Sequence, residues 1–293
     1  MSANVLERPH SVALTRGARP TMPGAFWRLY RSEMRLIVRR RRNIVLLAVL
    51  GVVPLLIGTA IKLSHPGRDG GPAFLGQVSE NGLFLIFTTL AVSIPVFFPL
   101  VIGVVAGDSI AGEAGSGTLR YLLTVPVTRT RLLVVKALSL LSFTALSVLV
   151  VVVVGLVVGG FYFGVHNVTL LSGNTLSLGG GLLRTLSIGL FVTIALFGLA
   201  AVGIFISTLT ENAIPAMAAT IGFALITTVL DTIPQLSGIH PLLLTHNWLK
   251  FGEFLRDNVR FADIVQWLHL PLAYAAIFLT LAWARLRTKD ITS

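Results

Sequence analysis

Side chains that could carry out chemistry are few in this sequence, and they form no recognisable catalytic group. There is no Cys, which excludes thiol chemistry and disulfides. The sequence has no G-x-x-x-x-G-K-S/T phosphate-binding loop, no H-E-x-x-H and no G-x-S-x-G motif. Gly115-Ser116-Gly117 resembles a nucleophile turn superficially, but no His lies nearby in sequence to activate the Ser116 hydroxyl. We therefore predict neither a catalytic residue nor a cofactor site, and we do not expect the chain alone to hydrolyse ATP.

Histidines are the other group that could bind a ligand, in this case a metal ion or a proton. His240 and His246 are six residues apart across a predicted turn, but the spacing of the histidines fits no known ligand pattern. Solvated or interfacial histidines are the favoured interpretation, so no metal ligand is predicted. Five of the six fall on the external side of the topology predicted from charge: His65, His166, His240, His246 and His269.

Composition places these residues in a membrane protein. The apolar fraction is 54%, charged residues make up only 12%, and mean hydropathy is +0.85; a soluble domain carries roughly twice that charge. The net charge of +11 could suggest nucleic acid. However, 17 of the 23 Lys and Arg residues fall before residue 44, within 113–136 or after Ala284. Loops rich in Lys and Arg face the cytosol and attract anionic lipids, so we predict lipid contact and no nucleic-acid partner.

Apolar runs predict an all-α integral membrane protein with six spans, at about 44–63, 82–107, 137–163, 183–207, 213–231 and 264–284. With the basic segments inside, both termini are predicted to be cytosolic in a plasma (inner) membrane. Residues 1–23 are then a disordered cytosolic arm, 24–43 an amphipathic elbow helix, 44–284 the membrane domain and 285–293 a cytosolic tail. Loops 108–136 and 208–212 are predicted inside, and segments 64–81, 164–182 and 232–263 outside.

Three local patterns refine this prediction. In the elbow, Phe26, Trp27, Tyr30, Met34, Ile37 and Val38 recur at helical spacing, which predicts an interfacial helix with its aromatic face toward lipid. Trp248, Phe251, Leu255 and Val259 predict an amphipathic outer helix before the last span. Pro95 and Pro99 predict a kink in the second span.

Charges within the spans are few and lie near the predicted outer face, where long side chains reach water at little cost. Asp231 ends the fifth span, Arg184 opens the fourth and Lys62 closes the first. The predicted centre of the membrane therefore lacks the acidic or basic groups that a proton-driven transporter requires. Energy for transport would have to come from elsewhere.

The polar insert 111–136 between the second and third spans is the most informative segment. It contains Glu113, Gly117-Thr118-Leu119, Leu122-Leu123, Pro126-Val127, Arg129 and Lys136. This pattern resembles the cytosolic loop of permease subunits of ABC transporters, in the type-two exporter branch. The resemblance extends from about residue 24 and includes the elbow, the outer amphipathic segment and the short basic tail. Ala114 departs from it, since many members have a charged residue there.

The resemblance implies a mechanism. Two permease subunits, identical or different, would associate above two separate cytosolic ATPase subunits that bind ATP and Mg. Residues 111–126 would form a coupling helix seated in a groove of the ATPase. The implied coupling residues are Glu113, Gly117, Thr118, Leu119, Arg120, Leu122, Leu123 and Pro126. Leu119, Leu122 and Leu123 would be apolar anchors, with Glu113 and Arg120 as charged partners; Glu113 could instead cap the helix.

Two other functions fit a six-span chain less well. A membrane-embedded enzyme or assembly factor without an ATPase partner would need His, Asp, Glu or Ser clustered at one depth, which the sequence does not show. A channel would need a polar stripe along a span, and the fourth offers only Thr185, Ser187, Thr193 and Ser207. An ATP-driven exporter subunit is therefore the favoured prediction.

Overall fold

The computed structural model of the chain describes residues 24–64, 82–115, 128–164, 168–169, 175–256 and 260–288. Its helices are α1 (Ala25–Arg39), α2 (Arg41–Ser64), α3 (Gly82–Ser93), α4 (Phe97–Gly115), α5 (Arg129–Phe163), α6 (Leu178–Leu209), α7 (Ala213–Asp231) and α8 (Phe261–Thr288). One antiparallel pair of two-residue strands, β1 (Val168–Thr169) and β2 (Thr175–Leu176), precedes α6. The predicted arm 1–23 lies outside the described residues.

Six of these helices are long and apolar enough to cross a membrane: α2, α4, α5, α6, α7 and α8. This confirms the predicted all-α membrane fold with six spans. The second span is completed by the shorter helix α3, and the predicted kink lies between the two helices, where residues 94–96 form a turn. Proline interrupts a helix because it lacks an N–H and clashes with the preceding turn, which explains the break at Pro95.

Helix α6 is the centre of the bundle. In its most apolar stretch 72% of the residues are buried, against 22% in α7 and in α8. It packs against α4, α5, α7 and α8. The outer faces of α2, α7 and α8 are apolar and exposed, as expected of helices that face lipid or another subunit.

Glycines allow the closest helix crossings. A Cβ atom added to Gly82 of α3 would lie 2.3 Å from the carbonyl of Gly159 of α5. Likewise, a Cβ added to Gly107 of α4 would lie 2.5 Å from the backbone nitrogen of Met217 in α7. Both Gly107 and Gly159 belong to small-x-x-x-small pairs, which permit this kind of approach between membrane helices.

The predicted loop 108–136 is wrong at both ends. Helix α4 continues to Gly115 and α5 begins at Arg129. Three of the charged residues that marked this segment as a loop, Asp108, Glu113 and Lys136, are largely buried and paired, so they do not end the helices. Helix α5 has 35 residues and is therefore about 52 Å long, whereas the hydrocarbon core of a bilayer is about 30 Å thick. It extends well beyond the membrane core.

The segment before the last span is amphipathic but not α-helical. It contains three 3₁₀ turns, Pro234–Leu236, His240–Leu242 and Trp248–Leu255. In the third, Trp248, Phe251 and Phe254 are buried. Residues three apart align in a 3₁₀ helix, so Phe254 occupies the place predicted for Leu255; Val259 lies outside the described residues. Arg184 of α6 donates to the carbonyls of Phe254 and Arg256, at 2.8 and 2.6 Å, and thus fixes the end of this turn.

Candidate functional site

The predicted elbow, the C-terminal ends of α4 and α8 and the N-terminal end of α5 meet at one end of the bundle, here called the basic end. The α6–α7 connection lies there too, since a Cβ added to Gly115 would be 2.8 Å from the Glu211 carbonyl. The structure therefore groups the segments that the charge pattern assigned to one side of the membrane. That this side is the cytosol stays a prediction.

A buried lysine joins three of these helices. The Lys136 ammonium of α5 donates to Glu33 of α1 at 2.8 Å and to Glu113 of α4 at 2.7 Å. Its side chain is 1% exposed, and those of Glu33 and Glu113 are 12% and 15% exposed. A lysine is almost never buried to this extent unless it is paired. These three residues, the Lys136 cluster, fix the elbow to both helices that flank the predicted coupling segment.

A second ionic group lies one turn before Glu113 on α4. The Asp108 carboxylate accepts from Arg42 of α2 at 2.8 Å and also from Arg40 at the junction of α1 and α2. The same junction is held by Asn43, whose buried side-chain amide donates to the Ile37 carbonyl at 2.8 Å. Asp108 thus connects the start of the first span to the end of the second. A cavity of about 40 Å³ is lined by residues of both ionic groups.

The elbow packs on protein along one side. Tyr30 hydrogen-bonds to Ser142 of α5 at 2.7 Å, and Glu33 of the same face is buried in the Lys136 cluster. Trp27 and Leu36 are 60% and 61% exposed. The aromatic stripe predicted to face lipid is therefore divided: Trp27 is exposed, whereas Tyr30 contacts α5.

Helix α4 is also contacted by a polar side chain of α6. The Ser207 hydroxyl donates to the Gly107 carbonyl at 2.7 Å and accepts from the backbone N–H groups of Ile110 and Ala111, at 3.0 and 2.8 Å. The Ser207 hydroxyl therefore holds α6 to α4 at the start of the last turns of α4, which carry Asp108 and Glu113.

The start of α5 is fixed to the last span. Arg129 donates to the carbonyls of Leu286 and Arg287 near the end of α8, the second at 3.0 Å. The Trp283 indole donates to the Thr130 hydroxyl at 2.9 Å. A displacement of the start of α5 would therefore move α8 as well as the elbow.

Of the eight predicted coupling residues, Glu113 is the one that the structure describes, and it lies within α4. The other seven lie outside the described residues: Gly117, Thr118, Leu119, Arg120, Leu122, Leu123 and Pro126. Sequence reasoning missed Glu33 and Asp108 and gave Lys136 no partner within the chain. Two features of the sequence could have pointed to this pair: Glu33 is the one acidic residue among positions 24–42, and Lys136 stands alone in an apolar run. A charged residue that is buried in such a run requires a partner of opposite charge.

Comparison with known proteins identifies the family. No curated protein matched the chain. A family model described as ABC-2 family transporter protein matches residues 39–231, which contain α2 to α7, most of the membrane domain. The protein is accordingly a multi-pass membrane component of a transport system and not itself the catalytic one. By this match over most of its length, the chain belongs to the ABC-2 family of transporter proteins, as a permease subunit of an ABC transporter.

Proposed function

We propose that this permease subunit is driven by a separate cytosolic ABC ATPase that binds residues 111–126, and that it exports its substrate. In this proposal the basic end faces the cytosol of the cell, at the plasma membrane. A second permease subunit, identical or different, completes the translocation path. ATP and Mg bind to the ATPase partner only.

The Lys136 cluster carries the proposal. The segment between α4 and α5 is flanked by Glu113 on one side and by Lys136 on the other, and both residues bind each other. Lys136 also binds Glu33 of the elbow. A partner that displaces this segment would therefore move the ends of two spans and the elbow together. An external ATPase needs such a mechanical connection to the spans. The described spans hold their charged groups near their ends, which favours an energy source outside the membrane.

Docking is tested by co-purification of the permease with the ABC ATPase proposed as its partner. Leu119 and Leu122 are three apart, so they share a face if the segment is helical. A buried Leu that fits a groove contributes about 2 kcal/mol or more, which is roughly thirtyfold in affinity. The double substitution Leu119→Ala with Leu122→Ala should leave the permease in the membrane and lose the ATPase. If wild type and double variant co-purify equally, the ATPase binds elsewhere, with Arg31 to Arg35 of the elbow as the next candidate.

The matched control is Val134→Ala. Val134 lies on α5 close to the segment and is 48% exposed, so its truncation removes apolar surface without opening the core. Leu132 would be a poor control because it is buried. Val134→Ala should retain ATPase binding within about threefold.

The energy source is tested in vesicles. Permease with ATPase should move substrate only with ATP present, and permease alone should not respond to a proton or sodium gradient. Accumulation against a concentration gradient by permease alone, driven by either ion, would overturn the proposal.

A further inference from the structure

Three side chains of metal-binding type meet at the end of α7 that lies away from the basic end. Asp231 is the last residue of α7, His240 begins the second 3₁₀ turn, and His246 lies between the second and third turns. One ligand atom from each lies within 4.8 Å of the others. Helix α7 has 19 residues, so this group is about 27 Å from the start of the helix near the basic end.

The distances within the group are short. The His246 Nδ1 atom is 2.7 Å from the Asp231 carboxylate oxygen Oδ1, and the His240 Nδ1 atom is 4.0 Å from the same oxygen. The side chains of Asp231, His240 and His246 are 24%, 17% and 33% exposed. The group is thus partly buried and open on one side. It differs from a surface charge cluster because two of its members lie on a segment folded back against the third.

The orientation of His240 favours a cation. Its Nε2 atom is 3.1 Å from the Ile233 carbonyl oxygen. A carbonyl can only accept a hydrogen bond, so Nε2 is the donor, and a neutral ring in this orientation has the lone pair of Nδ1 toward Asp231. Metal-binding histidines are typically held in this way, by an N–H donated to a carbonyl or carboxylate on the side away from the metal. In that tautomer the Nδ1 lone pair and the Asp231 carboxylate could both bind one cation, with the His246 ring beside them.

We propose that Asp231, His240 and His246 bind a divalent transition-metal ion, with zinc as the best-fitting case. Two imidazole nitrogens and one carboxylate oxygen are a common zinc ligand set, with a fourth position left for water. Calcium and magnesium prefer oxygen ligands throughout. Bonds of about 2.0 Å in a tetrahedral site place ligand atoms roughly 3.3 Å apart. This separation falls between the two measured His–Asp distances, so small side-chain rotations complete the site. On binding, the His246 ring carries its proton on Nε2.

The bound ion would fasten residues 232–256 to the end of the fifth span. Tyr274 of α8 already donates to the Leu242 carbonyl at 2.9 Å, beside His240. The metal would therefore join α7 to the segment that contacts α8. This inference does not depend on ATPase docking or on the direction of transport, and it replaces the expectation of solvated histidines for His240 and His246.

Zinc binding by the purified full chain tests the proposal. The protein carries a tag without histidines, is stripped with a chelator, and is titrated with zinc against a chromophoric zinc indicator. Wild type should bind one zinc ion per chain at micromolar or lower free zinc, and millimolar magnesium or calcium should not compete. His240→Gln, His246→Gln and Asp231→Asn should each weaken binding at least tenfold. The control is His269→Gln, an exposed position on α8, which should bind as wild type does.

The outcomes are distinct. If the wild-type chain does not bind zinc, the proposal is overturned. This outcome does not depend on whether the variants fold. Equal zinc affinity in wild type and all variants means adventitious binding elsewhere and overturns it too. X-ray absorption of the zinc-loaded wild type should show nitrogen ligands at about 2.0–2.1 Å together with oxygen; a shell of oxygen alone would also reject the site.

Discussion

Replacing Lys136 with Met is expected to destabilise the permease more than the loss of any exposed cation. The change nearly keeps the volume of the side chain but removes the ammonium that is 2.8 Å from Glu33 and 2.7 Å from Glu113. Two buried carboxylates then face each other without a cation. Removing one partner of a buried ion pair costs about 3–5 kcal/mol. Two like charges about 5 Å apart repel by roughly 3 kcal/mol at an effective dielectric constant of about 20, which agrees with the lower end.

The assay is thermal unfolding of detergent-solubilised protein followed by intrinsic fluorescence. For chains of roughly this size, 1 kcal/mol corresponds to about 2–4 °C in Tm, so the lower-end cost of about 3 kcal/mol for Lys136→Met should lower Tm by roughly 6–12 °C. The control is Arg35→Met, because Arg35 is exposed on the elbow and its loss should change Tm little.

A second background separates lost charge pairing from lost packing. In a Glu33→Gln protein one of the two facing carboxylates is already neutral, so adding Lys136→Met should cost clearly less than it does in wild type. Such non-additivity is expected of residues in one network. If Lys136→Met and wild type have the same Tm, or if its cost is identical in both backgrounds, the reasoning about the Lys136 cluster is refuted.

Three further results are expected. Gly159→Ala should cost about 1–3 kcal/mol through overpacking, since its Cβ would lie 2.2 Å from the Gly82 carbonyl oxygen; Gly222→Ala, with nothing within 4 Å, should be neutral or stabilising when both are compared by Tm. Ser207→Ala should lower stability by about 1–3 kcal/mol, because two buried N–H groups of α4 lose an acceptor; an unchanged Tm would mean that both groups are satisfied within α4. A single Cys at Thr128 should be protected in intact cells from a probe that cannot cross the membrane, and one at Asn174 should be labelled; the reverse pattern would invert the topology.

The number of spans was predictable because an apolar run of about twenty residues has few other stable environments. The fifth span was predicted at 213–231, where α7 is found. This span carries no charge inside its apolar run, so nothing obscured its ends. The proline break in the second span was predictable for a similarly local reason.

The ends of α4 and α5 were not predictable from local pattern. Lys136 pairs with Glu33 across 103 residues of sequence, and a single sequence does not show which distant charges meet. Without that pairing, the charged residues in and beside 111–136 favour a loop. The prediction of an α-helix in the outer segment was wrong for another reason. Over eight residues its apolar side chains fit repeats of 3 and of 3.6 residues almost equally. Packing of Phe254 against Phe191 of α6 selects the shorter repeat.

The structure also narrows what Glu113 can do. The sequence left open whether its carboxylate caps the coupling helix or pairs with an arginine of the ATPase, and contact with the ATPase stays a prediction. An arginine from outside would have to reach a carboxylate whose side chain is 15% exposed and that already accepts from the buried Lys136 ammonium. Taking a second cation out of water at this site is costly. Glu113 is therefore better suited to hold the base of the segment than to bind the ATPase. In this proposal Leu119 and Leu122 provide most of the binding energy. The Lys136 cluster would then transmit movement of the segment to the spans without contacting the ATPase itself.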